Sequence, residues 1–205
     1  HAPFGGVVPE IASREHTRCI MQLAEHAMAA SDGAPVDAVA ATCGPGLMGS
    51  LLVGVNFARA LAWAWNVPYV PVHHIEGHIY SVFIDDGSGR VPEFPFLALV
   101  VSGGHTCLIK CPRPHQYKIL GSTRDDAVGE CFDKVARLLG LPYPGGPSVQ
   151  RAAEGGNPNA FRFPRALAGN DSIEFSYSGL KTAVLYALRD NARPEQGGEA
   201  WLADM

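Results

Sequence analysis

The chain has 205 residues, 47% of them apolar and 18% charged, and a net charge of −4. That length fits one large domain or two small ones, and the balance of residues excludes a disordered chain. A net negative charge gives no overall pull toward nucleic acid or anionic lipid, so either partner has to be met by a local basic patch. The five cysteines, Cys19, Cys43, Cys107, Cys111 and Cys131, form no C-x-x-C pair and are odd in number. This pattern predicts free thiols in a cytoplasmic protein. The longest apolar run, "LLVGVNFARALAWAW", is interrupted by Asn56 and Arg59, which predicts no membrane span, and no signal peptide is visible. The chain opens at His1 and stops in "GGEAWLADM", where a helix begins, and uncapped ends of this kind predict an internal fragment.

In chain order, Pro9 opens a helix with Ile20, Leu23 and Ala27 at helical spacing, and "SDGAP" ends it. "VDAVAATCG" reads as a short buried strand. "GPGLMG" leads from it into a helix carrying Leu51, Val55, Ala58 and Leu61 or Ala62 on one face. "VPYVPV" is a second strand and "HHIEGHIYSVFI" a helix; "DDGSGRVPEFP" is a turn-rich connection. Three β-like runs follow, "FLALVV", "HTCLIK" and "QYKILG", the first two joined by "SGG". A helix is expected from about Asp125, with Val128, Phe132, Val135 and Leu139 inward, ended by "LPYPGGP". The polar segment Ser148–Ser172 reads as helical, then looped. "FSYSGLKTAVLYALRD" begins a last helix with Leu180, Val184 and Leu188 on one side. Strands alternating with helices define an α/β class with a β-meander in the middle.

Five phrases carry chemistry. In "GPGLMG", Gly44, Gly46 and Gly49 satisfy G-x-G-x-x-G, but the next strand ends "YVPVHH" without the acidic residue of a dinucleotide site, and no Lys-Ser/Thr pair makes a phosphate loop. A tight strand-to-helix turn explains these glycines equally well. In "HHIEGH", His74 and His78 are four residues apart, which on a helix sets them on nearly one face, so two imidazoles can share a metal ion. Two satisfied histidines on an interface helix is the plain alternative. Glu76 lies on the far side, whereas the metallopeptidase motif H-E-x-x-H places its carboxylate beside the first histidine, where Ile75 stands here. "VVSGGHT" offers a Gly-Gly anion nest with the Ser102 hydroxyl, or a plain hairpin turn. Asp133 in "GECFDKVARLLG" is either a carboxylate at a cleft border, able to accept from ribose hydroxyls, or a salt-bridged surface group beside Lys134 and Arg137. Gly145 and Gly146 in "YPGGP" either let a flat ligand approach or stop a helix.

Six phrases in order, "GGVVPEIASREH", "GPGLMGSLLVG", "PVHHIEGH", "LVVSGGHT", "DDAVGECFDKVARLLGLPYPGGP" and "FSYSGLKT", resemble the bacterial-type tRNA N6-adenosine threonylcarbamoyltransferase family (TsaD), formerly labelled an O-sialoglycoprotein endopeptidase. The resemblance runs from near Gly5 to near Arg189. It implies an actin-like ATPase fold of the sugar kinase, Hsp70 and actin type, incomplete here, with most of the first lobe in 1–92 and the start of the second in 93–205. It implies transfer of L-threonylcarbamoyl from threonylcarbamoyl-AMP to N6 of adenosine 37 in tRNAs reading codons that begin with A, with release of AMP.

The resemblance also implies that His74 and His78 hold one divalent metal ion, iron(II), with a third ligand outside this chain. Val100, Val101, Ser102, Gly103, Gly104, Asp133 and Gly146 are the implied contacts of the acyl-adenylate. The implied partners are tRNA, an actin-like paralogue subunit (TsaB-type) and a small ATPase subunit (TsaE-type). The family's opening acidic strand-turn and its downstream Asp ligand and Asn contact have no match in this chain, so a fragment inactive by itself is expected. Two other readings are a metal-dependent glycoprotein endopeptidase, which the place of Glu76 disfavours, and a non-catalytic partner subunit, which the histidine pair disfavours. Arg162 and Arg165 in "FRFPR" are expected on an exposed basic face rather than in a tRNA platform.

Overall fold

A computed structural model describes residues 7–84, 87, 89–169, 171–191 and 198–205. The chain divides into two compact units, Val7–Val91 and Pro92–Met205. Among the described residues no helix is long and apolar enough to cross a membrane.

The first unit is built from α1 (Pro9–Ala30), β1 (Val39–Gly44), α2 (Met48–Trp65), β2 (Tyr69–His73) and α3 (His74–Tyr80), the last continued by a 3-10 turn at Ser81–Phe83. Pro9 sits in the first turn of α1, where its missing N–H costs nothing. Ser31 closes the other end, its hydroxyl donating to the Met28 carbonyl at 2.7 Å, and Asp32 and Gly33 then turn the chain at positive φ. The inward face of α1 runs through Ala12 rather than Leu23, which is 65% exposed. The short alanine wins because α1 lies close against α2. A Cβ built on Gly49 in the first turn of α2 would stand 2.5 Å from Ser13 Oγ of α1. "GPGLMG" is thus a tight strand-to-helix turn in which Gly49 serves close packing. On α2 the buried residues are Ala58 and Ala62, on the expected side, and Asn66 ends the helix in the left-handed region. Strands β1 and β2 pair in parallel, with the register slipping between Thr42 and Gly44 so that His73 lies opposite Gly44.

The second unit opens with the antiparallel meander β3 (Phe96–Val101), β4 (Thr106–Arg113) and β5 (Gln116–Ser122), with β4 central. Its buried face carries Val100, Cys107, Ile109 and Cys111, the period-2 alternation of a half-covered sheet. Helices α4 (Val128–Leu138), α5 (Gly145–Ala152), α6 (Ser178–Asp190) and α7 (Gly198–Asp204) follow. Helix α4 starts three residues later than Asp125. It buries Cys131 and Ala136, whereas Phe132 is 39% exposed. The small residues face the closest neighbours, and the large ring borders an apolar cavity of about 210 Å3 between α4, α5 and α6. "LPYPGGP" does more than stop α4, because its Gly145 is the first residue of α5. Leu180, Val184 and Leu188 line one side of α6 as expected, with Val184 buried. The five cysteines are free thiols.

Candidate functional site

In the first unit, β2 delivers His73 to the sheet edge, and the chain coils into α3 at the next residue. Ile79 is 3% exposed and anchors this short helix to the unit. His74 and His78 sit one turn apart, and their Nε2 atoms face each other at 3.1 Å, with ring centroids 4.4 Å apart and planes at 69°. At that distance one nitrogen donates to the other, or both point their lone pairs at a shared cation. Two imidazoles bound side by side to one ion at about 2.1 Å each stand about 3.0–3.4 Å apart, so the pair fits as half of a metal site. Neutral imidazole suits iron and zinc alike. Glu76 is half-buried on the same helix. Among the described residues no group of three or more His, Cys, Asp and Glu side chains gathers to hold an ion.

In the second unit the Ser102–His105 turn joins β3 to β4. The Ser102 N–H donates to the His105 carbonyl at 2.9 Å, and the His105 N–H donates back to Ser102 Oγ at 3.0 Å. The Ser102 hydroxyl is therefore occupied in closing the turn. Neither Gly103 nor Gly104 takes positive φ, so the turn is not the alternating-hand nest that a Gly-Gly pair suggests. A Cβ built on either would meet nothing within 4 Å. Neither backbone conformation nor internal packing asks for glycine there. Val100 is 6% exposed and packs inward, while Val101 is exposed. Of the five residues Val100–Gly104, the turn itself and Val101 are the accessible part.

Asp133 lies on α4 at the border of a cleft of about 290 Å3, lined also by Arg137, Tyr143 and Gly145. Its Oδ1 accepts from the Gly145 N–H at 2.7 Å, which caps α5 from a neighbouring helix. Gly145 is held tightly, since a Cβ there would lie 2.5 Å from the Phe132 carbonyl oxygen. Gly146 is the opposite case, with nothing within 4 Å of its built Cβ. Lys134 does not pair with Asp133. It bridges Asp126 at 2.6 Å and Glu130 at 2.9 Å.

Asp125 escapes sequence reading. Its carboxylate accepts four hydrogen bonds from the segment opening α6: Ser176 Oγ at 2.5 Å, Tyr177 N–H at 2.7 Å, Ser178 N–H at 3.2 Å and Ser178 Oγ at 2.8 Å. Partial loss of solvent pushes the carboxyl up, but the four donors outweigh it and hold Asp125 well below the usual carboxylate range. The donors stand 51 to 53 residues downstream, so no local spacing announces them. Arg124 beside it forks onto Glu174 of the same segment.

This is an α/β protein in which one unit brings two imidazoles face to face and the other sets a carboxylate at the border of a glycine-edged cleft. The family model for tRNA N6-adenosine threonylcarbamoyltransferase, TsaD, matches residues 1–199. The chain belongs to that family of transferases acting on tRNA.

Proposed function

We propose that this chain carries the acyl-adenylate and metal-binding parts of an enzyme that moves L-threonylcarbamoyl from threonylcarbamoyl-AMP to N6 of adenosine 37 in tRNAs reading codons that begin with A. The observation that carries the reading is the convergence of His74 and His78 at 3.1 Å within a chain matched to the family over residues 1–199. On this reading the two units belong to an actin-like fold, His74 and His78 hold one divalent ion, iron(II), and a third ligand comes from outside the described residues. Bound there, the ion supplies Lewis acidity toward the phosphate and carbonyl oxygens of the mixed anhydride.

The chain's own residues bind and orient. Gly103 and Gly104 leave open space beside the turn, which lets the adenylate approach the backbone. Asp133 keeps Oδ2 for a ribose hydroxyl while Oδ1 holds Gly145. The bare backbone of Gly146 lets the nucleoside lie close. The N6 amine of adenosine attacks the carbamoyl carbon, the bond from that carbon to the phosphate oxygen breaks, AMP departs with the electron pair, and N6 loses a proton. An aromatic amine is a poor nucleophile, so positioning of the two substrates carries much of the acceleration.

Arg162 and Arg165 are exposed, and the chain is net acidic. The TsaB-type and TsaE-type partner subunits supply most of the tRNA contact in this reading.

The test is full-length protein incubated with threonylcarbamoyl-AMP, iron(II) and tRNA, with nucleosides resolved by mass spectrometry. Threonylcarbamoyl on adenosine 37, with AMP formed in equal amount, is the expected result. Cleavage of a glycoprotein without modified adenosine would overturn the reading.

A further inference from the structure

We propose that Asp125 is a positioning residue for the adenylate site, fixing the Ser102–His105 turn through the loop 122–129. The inference rests on the functional reading above for what the turn binds, but not for the coupling itself.

The loop is stitched on two sides. Toward α6, the Phe175 N–H donates to the Ser122 carbonyl at 3.1 Å and the Arg124 N–H to the Phe175 carbonyl at 2.9 Å, before Asp125 gathers its four donors. Toward the hairpin, the Thr123 N–H donates to the Thr106 carbonyl at 2.9 Å and the Gly129 N–H to the Ser102 carbonyl at 3.1 Å. The Val128 N–H donates to Thr106 Oγ1 at 2.9 Å. Steric contact backs these bonds. A Cβ on Gly129 would lie 2.7 Å from Gly103 Cα and 2.8 Å from the Ser102 carbonyl oxygen, so the start of α4 cannot shift without moving the turn. Asp125 adds to this stitching beside the Arg124–Glu174 ion pair, and it accepts two amides at the start of α6, where a negative charge is favourable. Each of its oxygens already accepts two donors. It therefore acts by holding its neighbours, not by touching substrate.

Asparagine separates holding from charge. Its Oδ1 still accepts the Tyr177 and Ser178 amides, and the two serine hydroxyls can rotate to accept from Nδ2.

The test uses the full-length protein with Asp125→Ala, Asp125→Asn and, as a stability control away from the turn, Val184→Ala. Two readouts are taken: amide hydrogen exchange at Ser102, His105 and Gly129, and KM and kcat for threonylcarbamoyl-AMP. Asp125→Ala is expected to speed exchange at those three amides and to raise KM, each by about tenfold, with protection at Ile109 and Cys111 retained. Asp125→Asn is expected to stay within about threefold of wild type in both readouts, and Val184→Ala to leave the turn amides and KM alone. Should Asp125→Ala not fold, the double variant Ser176→Ala/Ser178→Ala, which keeps both amide donors, gives the same pattern more weakly.

Unchanged turn amides in the alanine variant would overturn the proposal. So would an asparagine variant as damaged as alanine, or a Val184→Ala protein showing the same losses. A wild-type protein that makes no modified adenosine, while its turn amides respond to Asp125→Ala, would remove the functional reading and leave the clamp standing.

Discussion

Asp133 on α4 caps α5, its Oδ1 accepting the Gly145 amide at 2.7 Å. One carboxylate oxygen is thus structural before any ligand arrives, and the two roles are separable. Asp133→Asn keeps an oxygen for Gly145 but replaces a charged acceptor with an amide. The expected result is a melting temperature near wild type and an AMP affinity about tenfold lower. Asp133→Ala also leaves the Gly145 N–H without its partner, and is expected to cost about 1–3 kcal/mol of stability as well. Thermal unfolding and calorimetric titration with AMP, on the same samples, check both. Equal affinity in Asp133→Asn and wild type would exclude a ribose contact.

The two neighbouring glycines are expected to behave oppositely. A methyl on Gly145 meets the backbone of Phe132 and Asp133 at 2.5 Å, so Gly145→Ala should destabilise the protein by about 1–3 kcal/mol, the usual cost of overpacking. A methyl on Gly146 meets nothing within 4 Å, and in the first turn of α5 alanine is the better helix former, so Gly146→Ala should be neutral or gain up to about 1 kcal/mol. If a nucleoside lies on that backbone, the same variant binds AMP more weakly. A Gly146→Ala protein that is more stable and binds AMP as tightly as wild type would show that no ligand approaches there.

On the proposed reading, in which His74 and His78 share an ion, loss of either imidazole should weaken metal binding. On that reading each ring supplies one nitrogen ligand, the two Nε2 atoms standing 3.1 Å apart. His74→Ala and His78→Ala are each expected to lower iron(II) affinity in the full-length protein by at least about tenfold. Elemental analysis after dialysis reads this without any assay of activity. Full metal retention in either variant would show the ion to be held elsewhere.

Asp125 predicts a specific acid limb. Its carboxyl is depressed in the folded chain, so its contribution to stability is complete above the unfolded pKa of about 3.9 and is lost as pH falls toward the lower folded value. Wild type and Asp125→Asn should differ most above pH of about 5, and the gap should start to close below pH of about 4 and keep shrinking as pH falls further. Urea unfolding of both proteins across that range measures the difference. A constant gap between them down to the lowest pH would mean that the charge contributes nothing.

Several parts of the candidate site are legible in the sequence, and the reason is periodicity. His74 and His78 face each other because four residues make just over one helical turn, whatever surrounds them. Strand β3 falls on Phe96–Val101 as "FLALVV" indicates, since an apolar run bounded by Pro95 and the Gly-Gly turn has few other uses. The face of α6 that carries Leu180, Val184 and Leu188 follows from the same arithmetic.

Other parts depend on what packs against what. Phe132 sits in an apolar row with Val128, Val135 and Leu139, yet Cys131 and Ala136 are buried in its place. Periodicity gives the apolar side of a helix, but the distance to the neighbouring elements decides which residue along it is innermost. Leu23 and Ala12 on α1 tell the same story. Gly129, Gly145 and Gly146 look alike as letters, while two of them are pinned by backbone at under 3 Å and one faces open space.

By itself, the sequence determined the α/β class, the order of elements, the histidine pair and the family, because each of these is written in residues close together along the chain. Only the tertiary structure decided that Asp125 reaches Ser176 and Ser178 and that Asp133 is half committed to Gly145. Such contacts join residues separated by many positions. Their free energy depends on how the intervening chain closes, and no local pattern records that.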